Sequence, residues 1–295
     1  MYHVINRGNY RRDVFGTVGA AQAFEQAVLE ACGLHGWRLH AQVVMSNHYH
    51  LAVETPRANL VEGMHWLQST FATRFNRLRQ ARGHLFQGRY QALLIQDAAA
   101  LSRVVDYIHL NPVRAGLVPP LKLADFRWSS LRRFLQGERP DGLVCADWLR
   151  HHGWTDSPAG LRAYGTYLTE LAVDEAEQKK LGFERLSVGW AIGTTGWCRQ
   201  VAKDHAQRAL RPGLEAGELK EMKESYWSQV LESESKRAGR NSKRIAEDPG
   251  NAPWKITVAI KLRQAGASYA WITEALSMGK TSSARVYLSR AKSST

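Results

Sequence analysis

This chain of 295 residues has few cysteines and no long apolar run, and its first 120 residues contain no lysine. Its three cysteines, at 32, 145 and 198, are widely spaced and form no Cys-x-x-Cys pair. This spacing excludes a cysteine-based zinc framework and a disulfide scaffold, and it favours a reducing, cytoplasmic compartment. No apolar run reaches the roughly 20 residues that a membrane helix needs, and the N-terminal residues have the pattern of a strand rather than a signal peptide.

Positive charge is what the sequence has in excess. The formal net charge is +13 and the sequence pI is about 9.9. A chain this basic usually binds a polyanion, and nucleic acid is the leading candidate. Residues 1–120 carry 12 Arg and no Lys against 7 acidic residues. Arginine pairs with phosphate and stacks on bases, although a GC-rich genome that favours arginine codons explains the same bias equally well.

Apolar periodicity in the first 110 residues alternates between the strand repeat and the helix repeat. We predict strands over residues 2–6, 37–45, 47–54 and 90–96, and helices over residues 20–34, 60–82 and 98–110. The order β-α-β-β-α-β with a trailing helix is the ferredoxin-like split βαβ pattern. It predicts an α+β domain with a four-stranded antiparallel sheet. Two helices would cover one face, and the other face would stay open for a ligand or another element.

Composition and Gly/Pro punctuation divide the chain into four parts. They are a first domain at residues 1–120, a helical and irregular extension at 121–174, a helical region with a linker at 175–250, and a mostly helical C-terminal domain at 251–295. The last part resembles a helix-turn-helix, whose final helix would enter the major groove of DNA. The residues expected to contact bases are Lys280, Ser282, Ser283 and Arg285. Small three-helix units also serve as protein-binding modules, and that alternative stays open.

Two histidines, His48 and His50, lie two residues apart in the predicted third strand. Side chains at i and i+2 of a strand share one face, so the two imidazoles project together. Such a pair is half of a metal site. Taken alone, the pair is more simply explained as buried or surface histidines without a ligand.

The helix predicted over residues 98–110 offers a nucleophile and a further ligand. Tyr107 and Asn111 are four residues apart, about one helical turn, so both side chains face the same way. If this helix packs beside the histidine strand, the Asn111 amide oxygen reaches a metal held by His48 and His50. Tyr107 would then face a phosphate on that metal. Pro112 disfavours helical geometry at Asn111, so we predict that the helix stops there.

Basic and aromatic residues are interleaved in two places, as in proteins that hold single-stranded nucleic acid through cationic grooves and base stacking. The residues predicted to contact DNA in the first place are Arg74, Arg77, Arg82, Phe86, Arg89 and Tyr90. Those in the second place are Arg7, Arg11 and Arg12. A solvated helix face is the alternative explanation for the first group.

His48-Tyr49-His50 matches the pattern of two histidines around a hydrophobic residue that defines the HUH superfamily. Together with Tyr107, it resembles the single-tyrosine (Y1) transposases of the IS200/IS605 type, and most of all their REP-associated branch. Phe86-Gln87-Gly88-Arg89-Tyr90 and Trp128-Ser129-Ser130 also match that branch. The resemblance covers roughly residues 1–172.

This resemblance implies a metal-dependent endonuclease and strand transferase that acts on single-stranded, hairpin-bearing DNA. Tyr107 would form a 5′-phosphotyrosine intermediate with Mg²⁺ or Mn²⁺ at His48, His50 and Asn111, in a monomer or a homodimer near the nucleoid. The chemistry is consistent, because a phenol with a pKa of ~10 is a poor nucleophile at neutral pH. A divalent ion supplies the missing charge stabilisation and alignment.

Two other functions remain as alternatives. The first is a domesticated nuclease that processes chromosomal repeats without mobility. The second is a DNA-binding regulator with a vestigial nuclease centre, against which the intact set of His48, His50, Tyr107 and Asn111 argues.

Overall fold

The computed structural model describes residues 1–80, 82–209, 218–240 and 242–293. They form two compact units, Met1–Thr194 and Thr195–Thr295, which are described separately. The domain limits predicted at residues 120, 174 and 250 stay predictions. Among the described residues, no helix is long and apolar enough to cross a membrane.

A five-stranded mixed sheet forms the centre of the first unit. Its strands are β1 (Tyr2–Arg7), β2 (Arg38–Val44), β3 (His48–Glu54), β4 (Gln91–Ile95) and β5 (Ala191–Ile192), arranged in the order β2-β3-β1-β4-β5. Neighbours among the first four strands are antiparallel, whereas β5 runs parallel to β4. The four predicted strands are present and antiparallel to one another, but the prediction missed β5, which makes the sheet five-stranded and mixed. A two-residue strand in a glycine-rich stretch has no alternating pattern that could reveal it.

One face of the sheet packs against α1 (Val18–His35) and α2 (Leu60–Arg79). Tyr49 of β3 lies in the middle of this layer, with its ring centroid 4.5 Å from that of Phe24. Gly63 of α2 sits against the fully packed indole of Trp37, where a Cβ atom would come within 2.1 Å of a ring carbon. The close approach of α2 to this indole therefore requires glycine.

The opposite face carries a third helix, α3 (Ala98–Arg114), which packs on β2 and β3. Asp97 caps its first turn by accepting a hydrogen bond from the Ala100 N–H at 2.8 Å. The helix does not stop at residue 110 as predicted, because Pro112 lies inside its last turn. The Asn111 carbonyl still accepts from the Ala115 N–H at 2.9 Å. A proline there removes one backbone donor without ending the helix.

Short 3-10 helices of the first unit lie at Asn9–Arg11, Pro120–Asp125 and Phe183–Arg185. Its further α-helices are α4 (Ser130–Gln136), α5 (Ala146–His151), α6 (Pro158–Leu171) and α7 (Glu175–Lys180). A buried polar cluster joins α3 to them, since the Asp106 carboxylate accepts hydrogen bonds from Tyr164 at 3.0 Å and from Tyr167 at 3.2 Å. His152 Nε2 lies 3.2 Å from the same carboxylate. Burial, together with the Asp106 charge, raises the pKa of Tyr164 well above its ordinary value.

Helices are the only regular elements among the described residues of the second unit. They are α8 (Thr195–Ala209), α9 (Glu218–Arg237), α10 (Pro253–Gln264), α11 (Tyr269–Ala275) and α12 (Thr281–Ser293), with a short 3-10 helix at Ser242–Glu247. Val258, Leu262, Ile272, Leu276 and Leu288 form its small core. Ser268 caps α11, and positive φ angles at Ser277 and Gly279 turn the chain before α12.

Candidate active site

The site lies on the side of the sheet that faces α3. The register of β1 and β3 decides which of their side chains meet there. His50 is paired with Ile5 across β1 and β3, and His48 is paired with Arg7. Because directly opposed residues share a face, the side chains of His3 and His50 are diagonal neighbours on that same side. The ring centroids of His48 and His50 are 5.1 Å apart. The structure thus places the two predicted metal-ligating histidines side by side.

The hydrogen bonds of these histidines use one ring nitrogen each. His48 Nδ1 lies 2.7 Å from Asn47 Oδ1, and His50 Nδ1 lies 3.0 Å from His3 Nε2. The Nε2 atom of each ring takes no part in these two contacts. Burial, with help from the Arg7 charge, lowers the pKa of His48 to about 4. Burial likewise lowers the pKa of His50 well below its ordinary value. Both rings are therefore neutral at physiological pH, which is the form that binds metal.

Tyr107 of α3 faces the histidines. Its ring centroid lies 5.6 Å from that of His50 and 5.8 Å from that of His3, both in edge-to-face geometry. The exposed Arg114 side chain places its guanidinium 4.9 Å from the centre of the Tyr107 ring. Phe183 closes another side, at 5.8 Å between ring centroids. Tyr107 as a whole residue is 7% exposed, so the surrounding side chains restrict its position.

Asn111 lies one turn beyond Tyr107 on α3 and is 8% exposed. The helical geometry that the sequence argument required at this residue is present despite Pro112. Among the described residues, no group of three His, Cys, Asp or Glu side chains is arranged to hold a metal ion. The amide oxygen of Asn111 is of the ligand type that hard divalent cations prefer.

Two histidines near Tyr107, one buried and one half-buried, belong to the packing and not to the site. His109, two residues further along α3, is fully buried between Tyr164 and Ser130, each at 2.9 Å. His152 Nε2 faces both Ser102 and Asp106, so its second ring nitrogen is not part of that contact. The arrangement differs from a Ser-His-Asp relay, in which serine and aspartate use opposite nitrogens.

The residues predicted to contact single-stranded DNA fall into different environments. Arg7 lies beside His48, and Arg11 and Arg12 are exposed in the turn that follows β1. Arg77 and Arg82 are exposed on and after α2, as is Arg89, while Tyr90 is half-buried.

Several predicted DNA contacts also have protein partners in the structure, among them Arg285, whose guanidinium lies 5.2 Å from the centre of the Tyr269 ring. Arg74 forms a two-bond ion pair with Glu30, with one N–O distance of 2.7 Å. The Phe86 ring packs among other aromatic rings, 6.0 Å from Tyr49 and 6.1 Å from Phe71. Lys280, Ser282 and Arg285 are exposed at and near the start of α12 in the second unit.

Sequence reasoning missed four residues around the site: His3, Arg114, Phe183 and Leu186. His3 had a detectable signal, because it shares the alternation of β1 with the face that bears the histidine pair. Arg114 is two turns beyond Tyr107 on the same helix, but the helix was predicted to end before it. Phe183 and Leu186 come from a stretch without pattern, and only the tertiary fold brings them to the site.

Comparison with known proteins agrees with the predicted resemblance. Residues 1–111 match the family model described as IS200-like transposase. A curated protein of Haemophilus influenzae, named as a candidate REP-associated tyrosine transposase, is 28% identical over 126 residues, which cover 39% of this chain and 70% of that protein. A solved structure of a REP-associated tyrosine transposase bound to a REP hairpin aligns with a TM-score of 0.39 and 19% identity. That alignment covers 48% of this chain and 83% of the other.

The resemblance to Y1 transposases is therefore confirmed, and so is the enzyme class, a tyrosine transposase. The match ends at Asn111, so it includes both histidines and the tyrosine but none of the extension or the second unit.

Proposed function

We propose that this chain, whose first 111 residues match the IS200-like transposases, is a metal-dependent single-strand DNA endonuclease and strand transferase. The observation that carries the proposal is the meeting of two elements. The β3 strand holds His48 and His50, and α3 brings the Tyr107 ring to 5.6 Å from the His50 ring. A strand and a helix that are far apart in sequence thus supply the two halves of one centre.

Tyr107 is the nucleophile in this proposal. Its phenolic oxygen bonds to the phosphorus of a phosphodiester, the bond from phosphorus to the 3′ oxygen breaks, and a 5′-phosphotyrosine and a free 3′-OH result. The phenol proton goes to solvent, and the departing 3′ oxygen takes up a proton. The exposed Arg114 guanidinium beside the phenol ring is placed to hold a non-bridging phosphate oxygen. The covalent link conserves the bond, so the strand can be rejoined without ATP.

A divalent cation, Mg²⁺ or Mn²⁺, fits the donor set of this site. The neutral Nε2 atoms of His48 and His50 and the amide oxygen of Asn111 would hold it. When bound, it would supply charge stabilisation and alignment for in-line displacement at phosphorus. Imidazole ligands suit Mn²⁺ better than Mg²⁺, so we expect Mn²⁺ to support the higher activity in vitro.

Single-stranded DNA with a hairpin is the substrate that we propose. Arg7 lies beside His48, and Arg11, Arg12 and Arg77 are exposed on the same unit. Such cations hold the backbone of single strands. The Haemophilus influenzae relative is named for its association with REP sequences, so a palindromic repeat with a short single-stranded flank is the first substrate to try. This function would place the protein in the cytoplasm, at the nucleoid.

Two finer structural assignments belong to the same proposal. The first four strands, with the helices between them, keep the order β-α-β-β-α-β, which supports a ferredoxin-like core. In the second unit, α11, the turn at Ser277–Gly279 and α12 support a helix-turn-helix that binds duplex DNA. Ser282, Arg285, Val286 and Ser289 are exposed at helical spacing along one side of α12.

A covalent-adduct assay tests the proposed chemistry. Labelled hairpin DNA with Mn²⁺ should give a protein–DNA band with the wild-type chain and none with Tyr107→Phe. Tyr10→Phe is the matched control, because Tyr10 is 84% exposed within the basic turn and outside the site. An adduct that persists in Tyr107→Phe would assign the nucleophile to another residue and refute the proposal.

A further inference from the structure

A chain of hydrogen bonds leads from the backbone of Leu186 to the histidine pair. His3 Nδ1 lies 2.7 Å from the Leu186 carbonyl oxygen, and His3 Nε2 lies 3.0 Å from His50 Nδ1. The His3 side chain is fully buried, and His50 is 3% exposed. The two rings, tilted by 30°, have centroids 5.1 Å apart.

The direction of each hydrogen bond follows from the first acceptor. A carbonyl oxygen only accepts, so His3 Nδ1 must carry the proton that it shares with Leu186. A buried imidazole without a charged partner is neutral, because burial penalises the charged form. His3 Nε2 therefore has no proton and must accept from His50. His50 then carries its proton on Nδ1, and its Nε2 keeps a free lone pair.

We infer that His3 is a positioning residue that fixes His50 in the Nδ1–H tautomer and so directs the Nε2 lone pair toward the metal. The part of this inference that concerns the metal rests on the proposed function. Metal-binding histidines commonly donate their other ring N–H to a second group, which fixes the tautomer and the ring plane. Here that second group is itself a histidine, and it is fixed in turn by a backbone carbonyl.

The segment that supplies Leu186 is itself tied to the sheet. The Leu94 N–H donates to the Trp190 carbonyl at 2.9 Å, and the Gln96 N–H donates to the Ile192 carbonyl at 3.0 Å. The same segment places Phe183 against the Tyr107 ring, with Arg114 over both rings. Residues 183–192 lie beyond the part that matches the family. They supply the Leu186 carbonyl that ends the hydrogen-bond chain, and the Phe183 ring that packs against Tyr107.

A purely structural role for His3 is the competing explanation, and it makes different predictions. A structural histidine would change stability when replaced, but it would not decide which nitrogen of His50 carries the proton. His3→Phe removes both ring nitrogens at similar volume, whereas His3→Gln retains an amide oxygen that can accept the His50 N–H. His40→Phe is the matched control, because His40 is also buried, at 1% exposed on β2, but takes no part in the hydrogen-bond chain through His3.

The first measurement is the ¹⁵N–¹H correlation spectrum of the imidazole rings in the full, metal-free chain. The wild-type chain should show His50 protonated at Nδ1. This arm requires no variant, and an Nε2–H tautomer of His50 in the wild-type chain would overturn the inference. In His3→Phe we expect the Nδ1–H signature of His50 to be lost or mixed, and in His40→Phe we expect it unchanged.

The second measurement is the affinity for Mn²⁺ without DNA, by calorimetry or by the electron spin resonance of free Mn²⁺. We expect His3→Phe to bind Mn²⁺ about 10–100-fold more weakly than wild type. His3→Gln should recover most of that loss, and His40→Phe should bind as wild type does. A folded His3→Phe with wild-type Mn²⁺ affinity would overturn the inference. Neither measurement depends on strand cleavage, so failure of the proposed nuclease function would be seen separately, in the adduct assay.

Discussion

Replacing Asp106 should destabilise the first unit strongly, although this residue does not face the proposed substrate. Its carboxylate is 1% exposed and accepts hydrogen bonds from Tyr164 and Tyr167, with His152 Nε2 at 3.2 Å. Asp106→Ala leaves these donors facing a cavity. Each buried donor without an acceptor costs about 1–3 kcal/mol, so the loss of the acceptor for the two tyrosine hydroxyls should cost about 2–6 kcal/mol in total.

Within that range we expect the free energy of unfolding to fall by about 4 kcal/mol. At roughly 2–4 °C per kcal/mol for a unit of this size, the melting temperature should fall by about 12 °C. Urea denaturation followed by tryptophan fluorescence, with a thermal melt by circular dichroism, measures both quantities. Tyr167→Phe is the matched control, because it removes one half-buried donor and should cost only about 1 kcal/mol.

The functional consequence follows from the position of Asp106 next to Tyr107 on α3. Loss of the cluster should loosen this helix and slow adduct formation at temperatures where the variant is still folded. If the free energy of unfolding of Asp106→Ala stays within 1 kcal/mol of wild type, the cluster does not anchor α3. The reasoning about this helix would then be refuted.

Three further predictions concern separate parts of the chain. Gly63→Ala should lower the free energy of unfolding, measured by urea denaturation, by about 1–3 kcal/mol, because the new Cβ would overlap the Trp37 indole. The control is Gly33→Ala, on the open side of α1, which should leave that free energy unchanged or raise it slightly. Arg114→Ala should slow adduct formation about tenfold or more and leave Mn²⁺ affinity unchanged, whereas equal rates would show that this guanidinium does not hold the phosphate. Replacement of both Lys280 and Arg285 by alanine should weaken binding to duplex DNA and leave hairpin cleavage intact. The slope of log affinity against log salt concentration should fall by about two ion contacts. An unchanged slope would argue that this unit binds protein and not DNA.

The sequence was most informative where function depends on local periodicity. His48 and His50 share a face because strand alternation is fixed, and Tyr107 and Asn111 align because a helical turn is fixed. These relations need no knowledge of the tertiary fold. The packing of the α3 helix on the histidine strand was a conditional prediction, and the structure brings the two elements together.

The features that were missed depend on contacts between residues far apart in sequence. The hydrogen bond from His3 to Leu186 spans 183 residues, and no local pattern around residue 186 marks its carbonyl as an acceptor. Strand β5 has only two residues, too few for an alternating pattern, and its backbone pairing with β4 defines it. The end of α3 was misplaced because Pro112 was read as a stop, whereas the last turn tolerates it.

Identification of the DNA-linked peptide tests the central claim most directly. Trypsin cleaves after Arg103 and Arg114, which releases residues 104–114, a peptide whose single tyrosine is Tyr107. After reaction with a hairpin substrate and Mn²⁺, followed by nuclease trimming, mass spectrometry should find this peptide with a nucleotide linked through its 5′-phosphate to Tyr107. A nucleotide on any other tyrosine peptide, or DNA cleaved by a folded Tyr107→Phe chain at the wild-type rate, would contradict the account.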